Sequence, residues 1–170
     1  ARMKALLGVE GDDTTDYSVY VSIANQYNLL GDGANNYAYL KKALAIDSET
    51  TGLAWFNLAT LLERLDAPKS ALDAYGHAAR AQPQQIQYQS AYLEFLTEHF
   101  PEEREKIDAA YTTAGEIFGN NSALLEIKAR WLGETGRIDE AIAVWEEVKE
   151  LSPASVSAID VEIKLLQEAR

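Results

Sequence analysis

The residue types that carry most catalytic and metal chemistry are scarce in this sequence. It has no cysteine, which excludes disulfides, thiol catalysis and cysteine-based zinc sites. Its two histidines are His77 and His99, and a catalytic or metal-binding pair requires imidazoles that are adjacent in space. His77 lies beside Tyr75 in a predicted helix and His99 at a later predicted turn. We therefore interpret them as two unrelated surface or boundary residues.

The remaining polar clusters do not have the spacing that catalysis or phosphate binding requires. Glu102-Glu103 and Glu146-Glu147 are consecutive pairs, so their side chains diverge around a helix instead of converging on a substrate. Gly31-Asp32-Gly33 is too short for a phosphate-binding loop and lacks the lysine. We predict that the protein is not an enzyme, and that it has neither a cofactor nor a metal site.

Two further segments resemble sites in form only. The acidic run over residues 10–16 lacks the alternating ligand spacing of an EF-hand, and we interpret it as a polar linker. Asn120-Asn121-Ser122 has the form of a glycosylation sequon, a motif short enough to occur by chance.

The charge balance bears on the class of partner. Fifteen Lys and Arg against 27 Asp and Glu give a net charge of −12, which disfavours nucleic acids and anionic membranes. The sequence contains no run of 18 apolar residues, so no transmembrane helix is predicted. The sequence does not decide whether the protein is cytoplasmic or exported. Because the chain starts at Ala1 without a signal-peptide pattern, we expect a processed or partial chain, with tethering through an upstream segment as one alternative.

Internal repetition is the informative feature of the sequence. Ala43, Ala78, Ala114 and Val148 recur at intervals of 35, 36 and 34 residues. A second series in the same register is Asn36, Ala71, Ile107 and Ala141. The sequence therefore contains four copies of one repeat unit.

Each unit has the pattern of two helices. Trp55, Leu58, Ala59 and Leu62 share one helical face. After a turn, a narrower stripe of small residues and one aromatic residue allows the paired helices to approach closely. Pro83 ends the unit because proline lacks the amide donor.

The second unit resembles a tetratricopeptide repeat (TPR), whose pattern is W-x2-L-G-x2-Y, A-x3-F and P. The matching residues are Trp55, Leu58, Ala59, Leu62, Ala71, Tyr75, Ala78 and Pro83. The fourth unit matches through Gly136, Ala141, Trp145, Val148 and Pro153, but has Lys128 where an apolar residue is usual. The first unit has Asn36 in place of alanine.

The first helix of the third unit has two alternative apolar stripes. One consists of Tyr88, Ala91, Tyr92 and Phe95, and the other of Gln89, Tyr92, Leu93 and Leu96. The sequence does not decide between them.

The resemblance implies an all-α, right-handed α-solenoid of about four TPR-like helical hairpins with a C-terminal capping helix. We predict a linker over 1–16 with Asp16 as N-cap, and a short helix over Ala1–Leu7 that ends at Gly8. The TPR-like pattern covers 17–153. The predicted segments are repeats at 17–51, 52–85, 86–121 and 122–155, and the capping helix at 156–170.

The resemblance also implies a concave groove, lined by the first helices, that holds a peptide or protein segment. Helical phase predicts these groove residues: Val21, Asn25, Phe56, Asn57, Thr60, Glu63, Glu126 and Arg130. The set lacks the clustered cations with which family members bind acidic chaperone tails, so we expect a neutral or basic segment. The alternative is a structural spacer that self-associates through its end repeats and has no groove ligand.

Overall fold

A computed structural model describes residues 16–169. This part of the chain contains nine α-helices, one 3₁₀ turn and no strand. The chain divides between Tyr88 and Gln89 into two compact units, called unit 1 and unit 2 below. The predicted linker lies outside the described residues except for Asp16, and the predicted helix over residues 1–7 lies wholly outside them.

The helices are short and closely spaced. Their bounds are α1 Tyr17–Leu29, α2 Gly33–Ile46, α3 Gly52–Arg64, α4 Pro68–Ala81, α5 Ile86–His99, α6 Arg104–Phe118, α7 Ser122–Glu134, α8 Ile138–Leu151 and α9 Val156–Glu168, with the 3₁₀ turn at Pro153–Ser155. In unit 1, α1 packs on α2, α2 on α3, and α3 on α4. In unit 2, α6 contacts α7, α7 packs on α8, and α8 packs on α9.

Polar caps and left-handed turn residues set the helix ends. Asp16 accepts a hydrogen bond from the Ser18 amide at 2.9 Å, so it is the N-cap of α1, as the sequence predicts. Residues with positive φ follow α1, α3 and α7: Gly31 at 73°, Asp66 at 54° and Gly136 at 77°. Glycine adopts this conformation without steric cost, whereas Asp66 adopts it with some strain.

The residues of the two repeat series are buried. Ala43, Ala78 and Val148 are completely buried, and Ala114 is 1% exposed. Asn36 replaces alanine in the second series and is also buried. The repeat register therefore corresponds to buried, packed positions within each unit.

Burial decides the register of the third unit. Gln89, Leu93 and Leu96 of α5 are buried, as is Phe95, whereas Tyr88 is only half-buried. The second of the two alternative stripes is therefore the one in the common register. Gln89 occupies the place of Trp55, and Leu93 that of Ala59.

Candidate functional site

In unit 1, the first helices of the two hairpins are linked by polar side chains. Asn57 Nδ2 on α3 donates to Asn25 Oδ1 on α1 at 3.1 Å. Further along the two helices, Arg64 Nη2 on α3 donates to Asn28 Oδ1 on α1 at 2.6 Å. We call these four residues the amide surface. Asn25, Asn28 and Arg64 are exposed, and Asn57 is half-buried.

The amide surface retains unused hydrogen-bonding capacity. A side-chain amide has two N–H donors and an oxygen with two lone pairs, and the pair of Asn25 and Asn57 uses one donor and one lone pair. The remaining groups match the alternating donors and acceptors of a peptide backbone.

Aromatic side chains hold the neighbouring candidates in place. The Phe56 ring lies edge-on to Tyr75 at 5.7 Å between centroids and tilted against Tyr88 at 5.3 Å. Tyr75 in turn donates its hydroxyl to Glu63 Oε2 at 2.8 Å. Phe56 is half-buried and Glu63 is exposed, so both present fixed atoms at the surface.

Two candidates in unit 1 are less available for binding than helical phase suggested. Val21 is only 3% exposed and packs in a core cluster with Ala43 and Ala54. Val21 is therefore a core residue. The prediction failed because helical phase gives the face of α1 on which a residue lies but does not show how deeply α3 covers that face. Thr60 donates its hydroxyl to the Asn57 carbonyl at 3.0 Å, so a ligand can use only the lone pairs of the Thr60 oxygen as hydrogen-bond acceptors.

In unit 2, a cavity of about 240 Å³ lies between α5 and α7. We call it the acidic cavity. Its lining residues are Glu94, Thr97, Glu98, Ile127, Arg130, Trp131 and Glu134. Arg130 is thus the one predicted candidate in this lining, while Glu126 is half-buried on α7 outside it.

The charges of the acidic cavity are unbalanced. Three carboxylates and one guanidinium line it, which leaves two net negative charges. None of these four groups forms an ion pair with another residue between 16 and 169. A cavity of this kind favours a cationic group over an anionic one.

Lys128 does not contribute to the acidic cavity. Its Nζ lies 5.7 Å from the centroid of the Tyr111 ring, and the residue lines a separate cavity of about 200 Å³ near the start of α7. A cation over an aromatic ring is a favourable contact, which explains a lysine at a normally apolar position.

The two histidines are separated in the sequence, and each lies against a different aromatic residue. His77 stacks on Trp55 at 4.3 Å between ring centroids, and His99 packs against Phe95 at 4.2 Å. Burial, followed by the Arg80 charge, lowers the pKa of His77. Within residues 16–169, no group of three His, Cys, Asp or Glu side chains is placed to hold a metal ion. In the same residues, no helix is long and apolar enough to span a bilayer.

The chain superimposes on YrrB, a TPR protein with an unusual peptide-binding site, with a TM-score of 0.68 and 20% identity over 92% of this chain and 79% of YrrB. The chain has the TPR fold. Two crystal structures of MamA match it with TM-scores of 0.71 and 17% identity, covering 91% of this chain and 89% or 83% of MamA. No protein-family model and no curated protein sequence matches it.

The sequence pattern missed several residues that line these TPR surfaces. Glu94, Thr97 and Glu98 were not predicted because the register of α5 was undecided, and that register places them where Thr60, Glu63 and Arg64 lie in the preceding repeat. Asn28 and Glu134 were recoverable from helical phase, since they follow predicted surface positions by three or four residues.

Proposed function

We propose that the protein is a non-catalytic protein-binding module that holds a segment of a partner protein against the first helices of its repeats. The observation that carries this proposal is the amide surface, where exposed Asn25 on α1 and half-buried Asn57 on α3 are paired and still have free donors and acceptors. An extended segment has unpaired backbone groups that such side chains satisfy.

We further propose that the bound segment is neutral or basic. The amide surface carries one cation, Arg64, and exposed Glu63 lies next to it in sequence. The acidic cavity has two net negative charges, and the chain as a whole carries −12. An acidic tail therefore meets repulsion both locally and at long range.

Selection of peptides on the intact chain tests this proposal. A random 12-residue phage library is selected on the native protein and, in parallel, on the Asn57→Ala/Arg130→Ala variant. We expect peptides with more Lys and Arg than Asp and Glu. In calorimetry, Asn57→Ala should weaken their binding about two- to tenfold, the effect of one lost hydrogen bond.

The matched control is Gln167→Ala, at an exposed position of α9, which should leave affinity unchanged. A peptide ending in several acidic residues serves as the opposing probe. Micromolar binding of that acidic peptide, abolished by Arg130→Ala, would overturn the proposed charge preference. Equal enrichment on the native protein and on the double variant would overturn the role of these surfaces.

Self-assembly is the alternative function, and one feature of α9 favours it. Val161 and Leu165 are 56% and 55% exposed and lie one turn apart on the same face. Sedimentation velocity over a hundredfold range of protein concentration separates the two functions. A concentration-dependent oligomer that Leu165→Ser disrupts would support assembly, and a monomer throughout would exclude it.

A further inference from the structure

A tryptophan of unit 1 is replaced by leucine at the matched position of unit 2. In unit 1, the Trp55 indole stacks on His77 at 4.3 Å between ring centroids, and its Nε1 donates to the Ser48 carbonyl at 2.8 Å. In the repeat register, Leu125 occupies the place of Trp55 and Gly119 that of Ser48. Leucine has neither the bicyclic ring nor the N–H donor. Unit 2 therefore lacks the ring that unit 1 carries at this point of its repeat.

The cavity of about 200 Å³ near the start of α7 lies at this position, since Gly119 and Leu125 both line it. We call it the Leu125 cavity. A second exchange removes atoms from its wall: Leu44, which packs against the core cluster of unit 1, corresponds to Gly115 on α6, and Gly115 also lines the cavity. A Cβ atom added to Gly115 would meet no packed neighbour within 4 Å. The space beside this glycine is therefore open.

The other lining residues favour a neutral ligand that carries a polar group. Lys128 and Glu147 both line the Leu125 cavity, so its formal charges cancel. Tyr111 lines it as well, and its hydroxyl is buried without a hydrogen-bond partner in the described part of the chain. Burial raises the pKa of Tyr111, so this hydroxyl stays neutral. Because a buried polar group without a partner is costly, a ligand whose polar atom reaches it is favoured.

We propose that the Leu125 cavity binds an indole ring, either of a free small molecule or of a tryptophan side chain of another protein. The ring is planar and neutral and has one N–H donor. An apolar cavity of roughly 150 Å³ is enough to bind benzene, so the slightly larger space here suits a bicyclic ring.

The pair of Trp55 and Ser48 in unit 1 indicates the acceptor for the ring N–H. The matched carbonyl is that of Gly119, which accepts a hydrogen bond from the Asn121 amide at 3.0 Å. A carbonyl oxygen has two lone pairs, so a second one is available to the ligand. The site includes no residue of the amide surface or of the acidic cavity, and it therefore goes beyond the proposed function.

Titration of the ¹⁵N-labelled chain with indole and with benzofuran tests the assignment. Benzofuran has nearly the same shape, with an oxygen in place of the N–H group. We expect indole to shift the amide signals of Gly115 and Gly119, and to bind about two- to tenfold more tightly than benzofuran, the effect of one hydrogen bond. The absence of shifts at both glycines, or equal affinity of the two compounds, would overturn the proposal.

N-acetyltryptophanamide distinguishes the two sources of the ring. An affinity at least equal to that of indole would assign the site to a tryptophan side chain. Binding of indole without binding of the amide would assign it to a small molecule.

Two substitutions that introduce the residues of unit 1 should close the Leu125 cavity. Leu125→Trp and Gly115→Leu should each abolish the shift that indole causes at Gly119, without lowering the melting temperature, because each fills open space. The control is Leu53→Trp, the same change at a position of α3 that is 45% exposed, which should leave indole binding unchanged. Indole binding that survives both substitutions, or a clear loss of stability in both variants, would contradict the argument that a ring fits here.

Discussion

Substitution of Ala78 by leucine tests the packing on which the repeats depend. Ala78 is completely buried on α4, and its neighbours Ala74, Tyr75 and Ala79 on the same helix are also buried. The leucine side chain adds three carbon atoms at a position with no free surface. Such overpacking typically costs about 1–3 kcal/mol, because neighbouring side chains must leave their preferred rotamers or the helices must separate.

This cost translates into a measurable change in melting temperature. For a chain of this size, 1 kcal/mol corresponds to roughly 2–4 °C, so we expect Ala78→Leu to lower the melting temperature by about 2–12 °C. Thermal unfolding followed by circular dichroism measures the change. The control is Ala45→Leu, at an exposed position of α2 with the same change in side chain. Equal melting temperatures for the two variants would refute the reasoning that position 78 is a tight helix contact.

Three further predictions concern the turns, the C-terminal helix and acid stability. Asp66→Gly should raise the free energy of unfolding by up to about 1 kcal/mol, because glycine adopts the φ of 54° without strain; urea unfolding measures this, and a destabilised variant would contradict it. Removal of residues 156–170 takes away the buried Ile159 and Ile163 and should promote aggregation, detected by light scattering; a truncated chain that stays monomeric at full stability would refute the capping role. Hydrogen bonds from the Asn35 amide and side chain lower the pKa of Asp32. Its contribution to stability is therefore present above the unfolded-state value of about 3.9 and lost as the pH falls through the lower folded-state value. Carboxyl-carbon NMR titration should show that lower value, and Asp32→Asn should remove this part of the acid dependence.

The helical architecture followed from the sequence because its signals are local or periodic. Turn residues such as Gly31 and Gly136 mark the ends of helices through backbone preferences that do not depend on distant contacts. The recurrence of small residues, as at Ala43 and Ala78, predicted close helix contacts, and both residues are completely buried. Even Asn36, an exception to the pattern, is buried in the position that the register assigned to it.

The binding surfaces could not be predicted from helical phase alone. Helical phase gives the direction of a side chain around the axis of its helix, whereas neighbouring helices determine how deeply the side chain is buried and what it contacts. Val21 was therefore predicted on the surface and is in the core. The register of α5, ambiguous in the sequence, had to be decided by burial before Glu94 and Glu98 could be placed.

The sequence by itself determined the repeated helical hairpins and the absence of cysteine chemistry, because composition and local periodicity are properties of the linear chain. Only the tertiary structure decided which side chains meet. Asn57 donates a hydrogen bond to Asn25, which is 32 residues away in the sequence. The Tyr111 hydroxyl has no hydrogen-bond partner within residues 16–169, where Thr97 occupies the position that corresponds to Glu63. Such contacts depend on how the helices cross and on which side chain occupies each matched position, and both are fixed only when the helices pack.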